Sequence, residues 1–207
     1  MLIFMAHIIS IIQTKGGTGK TTTTMMLGFA LSSLGDRVLV LDADKQRSAS
    51  DWAAAVEKDM PFPTISTPTD RTLKTTVNRS NNDDYDFILI DTPPGSNSIV
   101  ESASTCADLV LIPSGVSPLD MERTQATLDS FEGTETPIAV VLVNVDKREK
   151  LLTKAQASLT AHTRAALADT IIPTRSATRR VGYTIPNITT KPLQEWLDLA
   201  KELKEAF

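Results

Sequence analysis

The chain of 207 residues reads as an α/β fold, a doubly wound and mostly parallel sheet flanked by helices. Three observations predict this. Apolar, largely β-branched runs recur at residues 8–12, 38–41, 87–90, 109–112, 138–143 and 170–172, and unbroken runs of that kind suit strands buried on both faces. Helical patterns lie between them, at 21–34, 49–58, 98–107, 120–131 and 151–167, and strand–helix alternation points to a parallel sheet. Polar residues capable of chemistry stand directly after the strands, at the edge where open α/β sheets gather ligands. At this length one domain suffices, with about 70% of the unfolded chain's surface removed from water.

The first strand runs into Gln13-Thr14-Lys15-Gly16-Gly17-Thr18-Gly19-Lys20-Thr21-Thr22. Gly16, Gly17 and Gly19 let the backbone curl so that successive N–H groups, with those of Thr18 and Thr22, point inward at phosphates. Lys20 can neutralise β and γ oxygens, and the Thr21 hydroxyl can ligate Mg2+. The helix over 21–34 adds its positive N-terminal end. A glycine-rich turn with chance lysines is the alternative, and the strand–loop–helix context argues against it. Binding of a nucleoside triphosphate is therefore expected.

The second strand leads into Asp42-Ala43-Asp44-Lys45-Gln46, where an aspartate could serve a ligand or simply cap the next helix. Residues 61–69 and 80–84, polar or proline-rich, read as loops, with a short helix over 73–78. The third strand closes on Asp91, followed by Thr92-Pro93-Pro94-Gly95. An apolar strand ending in aspartate behind a phosphate loop is the Walker B pattern, so Thr21 and Asp91 would frame Mg2+. Pro93, Pro94 and Gly95 would sit near the γ-phosphate as a switch. The fifth strand ends at Asn144, whose amide suits adenine N6 and N7, a turn-forming Asn being the alternative. The sixth leads into Pro173-Thr174-Arg175. No GTP-type NKxD sequence is present, which favours ATP. The last segment, 192–207, is an amphipathic helix with Leu193, Trp196, Leu197, Ala200, Leu203 and Phe207 on one stripe. Its polar face holds four acids and two lysines, which favours packing on the domain over a membrane surface.

The early lysine in KGGTGKTT resembles the deviant Walker A box of the ParA/MinD family of ATPases, and DADKQ and FILIDTPPG are similar to that family's next two segments. The resemblance spans residues 8 to about 185. It implies that Lys15 acts in trans on a partner subunit's nucleotide and Lys20 in cis. It also implies that Asp44 orients the attacking water, that Asp42 supports Mg2+ through its water shell, and that backbone around Pro173 and Arg175 borders the adenine. Lys45 stands where the family usually has proline, which puts that segment's contact in question. The phosphate loop starts at once, so the chain is most similar to small plasmid-partition ParA proteins without an N-terminal helix-turn-helix. That implies a slow, partner-stimulated ATPase of DNA segregation. ATP would drive a homodimer onto non-specific duplex DNA, and a small centromere-binding (ParB-type) protein would release it. A MinD-like membrane-cycling ATPase and an ATP-dependent filament former are the alternatives.

Charge and cysteine content fit that picture. Residues 1–146 carry ten Lys and Arg against nineteen Asp and Glu, a net −9, whereas 147–207 carry eleven against six, a net +5. A basic final third is either a footprint for DNA or scattered solvated charge. The candidate DNA contacts are Lys147, Arg148, Lys150, Lys154, Arg175, Arg179, Arg180 and Lys191, with Arg179 and Arg180 foremost. The single cysteine, Cys106, excludes an internal disulfide or a four-cysteine metal site within one subunit. Neither a signal peptide nor a membrane span is read, so a cytoplasmic, nucleoid-associated protein is expected. His7 and His162 lie outside the motifs, and no Ser/His/Asp arrangement is read. Catalysis must therefore rest on positioning and charge.

Overall fold

The computed structural model describes residues 5–56, 59–80, 85–95, 98–146, 148, 150–162, 164–175, 184–187 and 191–207. Its strands are β1 (His7–Ile11), β2 (Val38–Asp42), β3 (Thr64–Ser66), β4 (Phe87–Asp91), β5 (Leu109–Ser114), β6 (Ile138–Val145), β7 (Ala166–Leu167) and β8 (Ile172–Pro173). The helices are α1 (Lys20–Ser33), α2 (Ser48–Val56), α3 (Asp70–Ser80), α4 (Ser98–Cys106), α5 (Pro118–Asp129), α6 (Lys150–Thr160) and α7 (Lys191–Lys204). The strands lie in the order β3-β2-β4-β1-β5-β6-β7, with β8 also paired to β6, and each recorded pairing is parallel. Chain direction around the sheet reverses at β1, so the loop after β1 opens at the switch point where such sheets hold ligands.

Successive residues of a strand face opposite ways, and here both ways are apolar. Ile9 and Ile11 point into one core with α1, α2 and α7, while Ile8 and Ile12 point into a second core containing residues of α3, α4 and α6. Helix α1 is buried on almost every side from Thr23 to Leu31, because β1 and β4 lie beneath it and α7 covers it. Gly28 permits this close packing: a Cβ there would stand 2.8 Å from the Phe62 ring.

Three elements differ from the sequence reading. Residues 64–66, expected as loop, form an edge strand paired with Val40–Asp42 of β2. Its short polar run carries no apolar period, so only the neighbour's free edge specifies it. The helix expected over 151–167 stops at Thr160, and Ala166 and Leu167 pair instead with Ala139 and Val140. There the Arg164 guanidinium donates at 2.7 Å to the carbonyls of Thr134 and Thr136, fastening the chain to the turn before β6. The short helix around 73–78 extends over Asp70–Ser80, started by reciprocal bonds between Thr69 and Thr72, which satisfy N–H groups otherwise left open at a helix start.

Helix α7 is packed against α1. Leu193, Trp196, Leu199, Ala200 and Leu203 are buried, and Lys204 bonds Asp36. Phe207 stacks on His7 with ring centroids 4.3 Å apart. The buried stripe includes Leu199, whereas Leu197 is only partly buried. No helix among the described residues is long and apolar enough to cross a membrane. Leu199→Ala is expected to lower stability by about 2–5 kcal/mol in urea unfolding, and Leu197→Ala by clearly less; equal losses would show that α7 is rotated from this seat.

Candidate functional site

The loop between β1 and α1 is shaped by Gly17 (φ 74°) and Gly19 (φ 88°), in the left-handed region that glycine alone enters without strain. Gly19 is the N-cap of α1, and the first turn carries no side-chain cap and no acidic residue. Its open N–H groups and positive end are thus free to hold an anion. Lys20 is 7% exposed, and its ammonium donates to the Lys15 carbonyl at 3.2 Å. Burial lowers its pKa, opposed by the charges of Asp91 and Asp44. Thr18 donates to the same carbonyl. The loop is thus closed on itself through the Lys15 carbonyl.

Asp42 and Asp91 are direct partners across β2 and β4. Asp91 is fully buried. It accepts from the hydroxyls of Thr21 at 2.7 Å and Thr24 at 3.3 Å. Burial, with the nearby Asp42 charge, pushes its pKa up to about 7 against the Thr21 bond and the Lys20 charge. These residues fit Mg2+. A hydroxyl and a carboxylate are already in contact, a carboxyl held near neutrality would ionise beside a cation, and Mg2+ asks for only one or two protein oxygens besides phosphate and water. Among the described residues no group of three His, Cys, Asp or Glu could hold a metal alone.

Asp42 has a second task. Its Oδ2 accepts from the backbone N–H and the hydroxyl of Ser50, at 2.8 and 2.7 Å, so it does cap the first turn of α2. Asp44 does not cap a helix; its carboxylate accepts from the Gln46 N–H, a local turn that leaves it partly exposed. It lines a cavity of about 500 Å³ together with Lys45, Pro93, Pro94 and Ser98. The loop holding Pro94 leans on the phosphate loop through a 2.8 Å bond from the Gly95 N–H to the Thr14 carbonyl.

A second cavity, of about 480 Å³, runs from Gly17, Thr18, Gly19 and Thr22 past Ser117 to Asn144, Pro173, Arg175 and Trp196. Its glycine end suits phosphates, and its other end, with Val143 and Ile172, suits a planar base. Asn144 adopts φ 56° at an irregularity between β6 and β8, so it both turns the backbone and lines the cavity. The structure brings Gly17, Thr18, Gly19, Thr22, Asn144, Pro173 and Arg175 together in one cavity, with Lys20 and Thr21 in the same loop and helix turn. Gly16 stands on the loop's other side, a Cβ there being 3.9 Å from Pro94.

Sequence reading missed the part played by α5. Its Asp120, Thr124 and Thr127, one face at helical spacing, meet the residues that open the phosphate loop. Asp120 accepts from the Lys15 ammonium at 3.0 Å, Thr127 donates to Gln13 at 2.6 Å, and Gln13 donates to Thr124 at 3.2 Å. Ser117, the N-cap of α5, donates to Asp120. These bonds to Ser117 and Lys15 hold the Asp120 carboxyl below the usual range against the opposing effect of burial. The signal in sequence was Ser117-Pro118-Leu119-Asp120, an N-cap followed by proline and an acid, but its target lies 105 residues away.

Of the basic residues, Arg148, Lys150 and Lys154 are exposed near the start of α6, although Arg148 is partly occupied by Asp146. Arg175 is not free for DNA, as its guanidinium is bonded to Glu195. Lys147, Arg179 and Arg180 lie outside the described residues, as does the Lys191 side chain.

The family described as the CobQ/CobB/MinD/ParA nucleotide binding domain matches residues 9–184. The chromosome partitioning protein ParA of Caulobacter vibrioides is 28% identical, over 81% of this chain and 80% of that protein. A Borrelia burgdorferi protein assigned to plasmid partition, solved with AMPPNP, superposes with a TM-score of 0.81 at 19% identity, covering 98% of this chain and all of that one. The cell division ATPase MinD of Pyrococcus furiosus gives 0.79 at 22%, with the same coverage. The last two likenesses speak for the fold.

In nucleotide-free, magnesium-free protein Asp91 keeps its proton to about pH 7 when folded, against an ordinary value of 3.8. The folded state thus binds more protons between those values. Its stabilising effect is complete below pH 4 and lost as pH rises through 7, on the order of a few kcal/mol. Thermal unfolding in EDTA from pH 4 to 8 should show that decline in the wild type and a flatter profile for Asp91→Asn; identical slopes would assign the decline elsewhere.

Proposed function

This chain belongs to the CobQ/CobB/MinD/ParA family of nucleotide-binding proteins, and from that premise we propose that it is an ATPase of DNA partition whose site is completed by a second copy of itself. The observation that carries this reading is the divergence of two lysines in one loop. Lys20 is folded into its own loop, whereas Lys15 reaches outward to Asp120. A loop that holds one lysine and extends another suits a nucleotide sandwiched between two subunits, with Lys15 reaching the partner's phosphates. The names of the relatives, chromosome and plasmid partition proteins, support the cellular role.

ATP occupies the cavity with its triphosphate on the N–H groups of Gly16 to Thr22 and its base beside Asn144, Pro173 and Arg175. Lys20 exchanges the Lys15 carbonyl for β and γ oxygens. Thr21 and Asp91 would hold Mg2+, with Asp42 on its water shell, and the ion when bound would supply charge neutralisation at those oxygens. Asp44 aligns the attacking water, and Lys15 of the second copy meets the charge that develops on the phosphoryl group. Asp44 is partly exposed, and no strong general base is read beside it. Unstimulated turnover is therefore slow, so the ATP state lasts long enough to act as a switch. The loop over 93–95 senses the γ-phosphate through its contact with the phosphate loop and passes the state on.

The ATP dimer places Lys147, Arg148, Arg179 and Arg180 on non-specific duplex DNA, which asks only for clustered positive charge. A small centromere-binding protein stimulates hydrolysis and release. The protein is cytoplasmic and nucleoid-associated. With its apolar stripe packed against α1, α7 is not presented to a membrane.

Lys15→Ala is expected to leave ATP binding to the monomer intact and to abolish the ATP-dependent dimer in light scattering; a surviving dimer would remove the contact in trans. Co-sedimentation with arbitrary duplex DNA and, separately, with anionic liposomes tests the role. Binding to DNA in ATP but not ADP, weakening steeply with salt, is the expected result. Binding to liposomes alone would overturn it in favour of membrane cycling, and ATP-dependent scattering without DNA binding would favour filaments.

A further inference from the structure

Three buried polar atoms at the far end of the cavity that begins at the phosphate loop have no hydrogen-bond partner among the described residues: Arg175 Nε, Glu195 Oε2 and Trp196 Nε1. Arg175 and Trp196 line the cavity. Glu195 is bonded to the first through its other oxygen, Oε1, and is adjacent to the second in α7. Unsatisfied buried polar groups are costly and uncommon, and a cluster of three calls for a ligand that satisfies them together.

We propose that Glu195 and Trp196 of α7, with Arg175, read the edge of the adenine base and set its selectivity. This rests on the assignment of the cavity to ATP. The open inventory is two N–H donors, on Arg175 and Trp196, and one acceptor oxygen, on Glu195. Adenine presents the complement, a 6-amino donor flanked by the ring acceptors N1 and N7. Guanine fits poorly, since its N1–H and 2-amino group would set two donors against one free oxygen, Oε1 being held by Arg175. The apolar walls of Val143 and Ile172 hold the ring plane, and Asn144 approaches from β6.

Trp196 is only 1% exposed. The base reaches the three atoms by displacing side chains at the N-terminal half of α7. Occupancy of the base site therefore changes the surroundings of Trp196. The C-terminal helix becomes a structural partner of the nucleotide, a role its sequence, an ordinary amphipathic stripe, does not announce.

The test uses the full chain with Mg2+ and three ligands, namely ATP, GTP and purine riboside triphosphate, which lacks only the 6-amino group. Calorimetric titration of the wild type is expected to favour ATP over purine riboside triphosphate about tenfold. Glu195→Gln brings that ratio close to one. Trp196→Phe, which keeps a ring but loses the N–H, weakens ATP several-fold and leaves the ratio in place. A Trp52→Phe protein, with Trp196 as its sole indole, changes emission on binding ATP. A wild-type ratio near one, or a folded Glu195→Gln protein with the wild-type ratio, overturns the proposal while the ATP site stands. Should Glu195→Gln fail to fold, Trp196→Phe binding ATP as tightly as wild type overturns it equally. A wild type that binds none of the three overturns the ATP assignment itself, and this inference falls with it.

Discussion

The contact on which most of the site depends is the 2.7 Å bond from the Thr21 hydroxyl to the Asp91 carboxylate. It joins the first turn of α1 to the carboxyl end of β4, and Thr24 adds a second bond one turn later. Asp91 is level with Ile11 on one side and Asp42 on the other, so this contact sets the height of the phosphate loop relative to both acidic strand ends. A carboxylate fully out of water is tolerated there because hydroxyls face it and its pKa rises. A cation beside it would favour its ionised form.

Around that contact two helices distant in sequence divide the loop between them. Helix α5 holds its opening residues through Asp120, Thr124 and Thr127, and α7 closes the far end of the cavity through Trp196 and the bond that Glu195 accepts from Arg175. The glycines of the loop supply geometry but little stiffness of their own. Stiffness comes from the buried hydroxyl and amide bonds around Gln13, which fix the chain just before the loop departs from β1. Lys15 is thus tied to α5, and the far end of the cavity to α7, through contiguous packed contacts.

The motifs legible in sequence are those whose chemistry is local. Gly17 and Gly19 were readable because a left-handed turn demands glycine, Lys20 and Thr21 because their spacing from the loop is fixed by the helix that follows, and Asp91 because it ends an apolar strand. The parallel sheet was readable because strands buried on both faces carry unbroken apolar runs. Edge elements were not. β3 is polar, β7 has two residues, and both exist because a neighbouring strand offers unpaired backbone groups.

The fold class, the phosphate loop and the acidic residues beside it follow from the residue order alone, since each is dictated by backbone geometry or burial within a few residues. The packing of distant elements set the rest: Lys15 rests on Asp120, Asp42 also caps α2, Arg175 is bound by Glu195 instead of being free for DNA, and Trp196 lines the cavity that begins at the phosphate loop. Those outcomes depend on which distant surfaces meet when α5 and α7 pack onto the sheet, and the spacing of residues along one chain carries no record of that meeting.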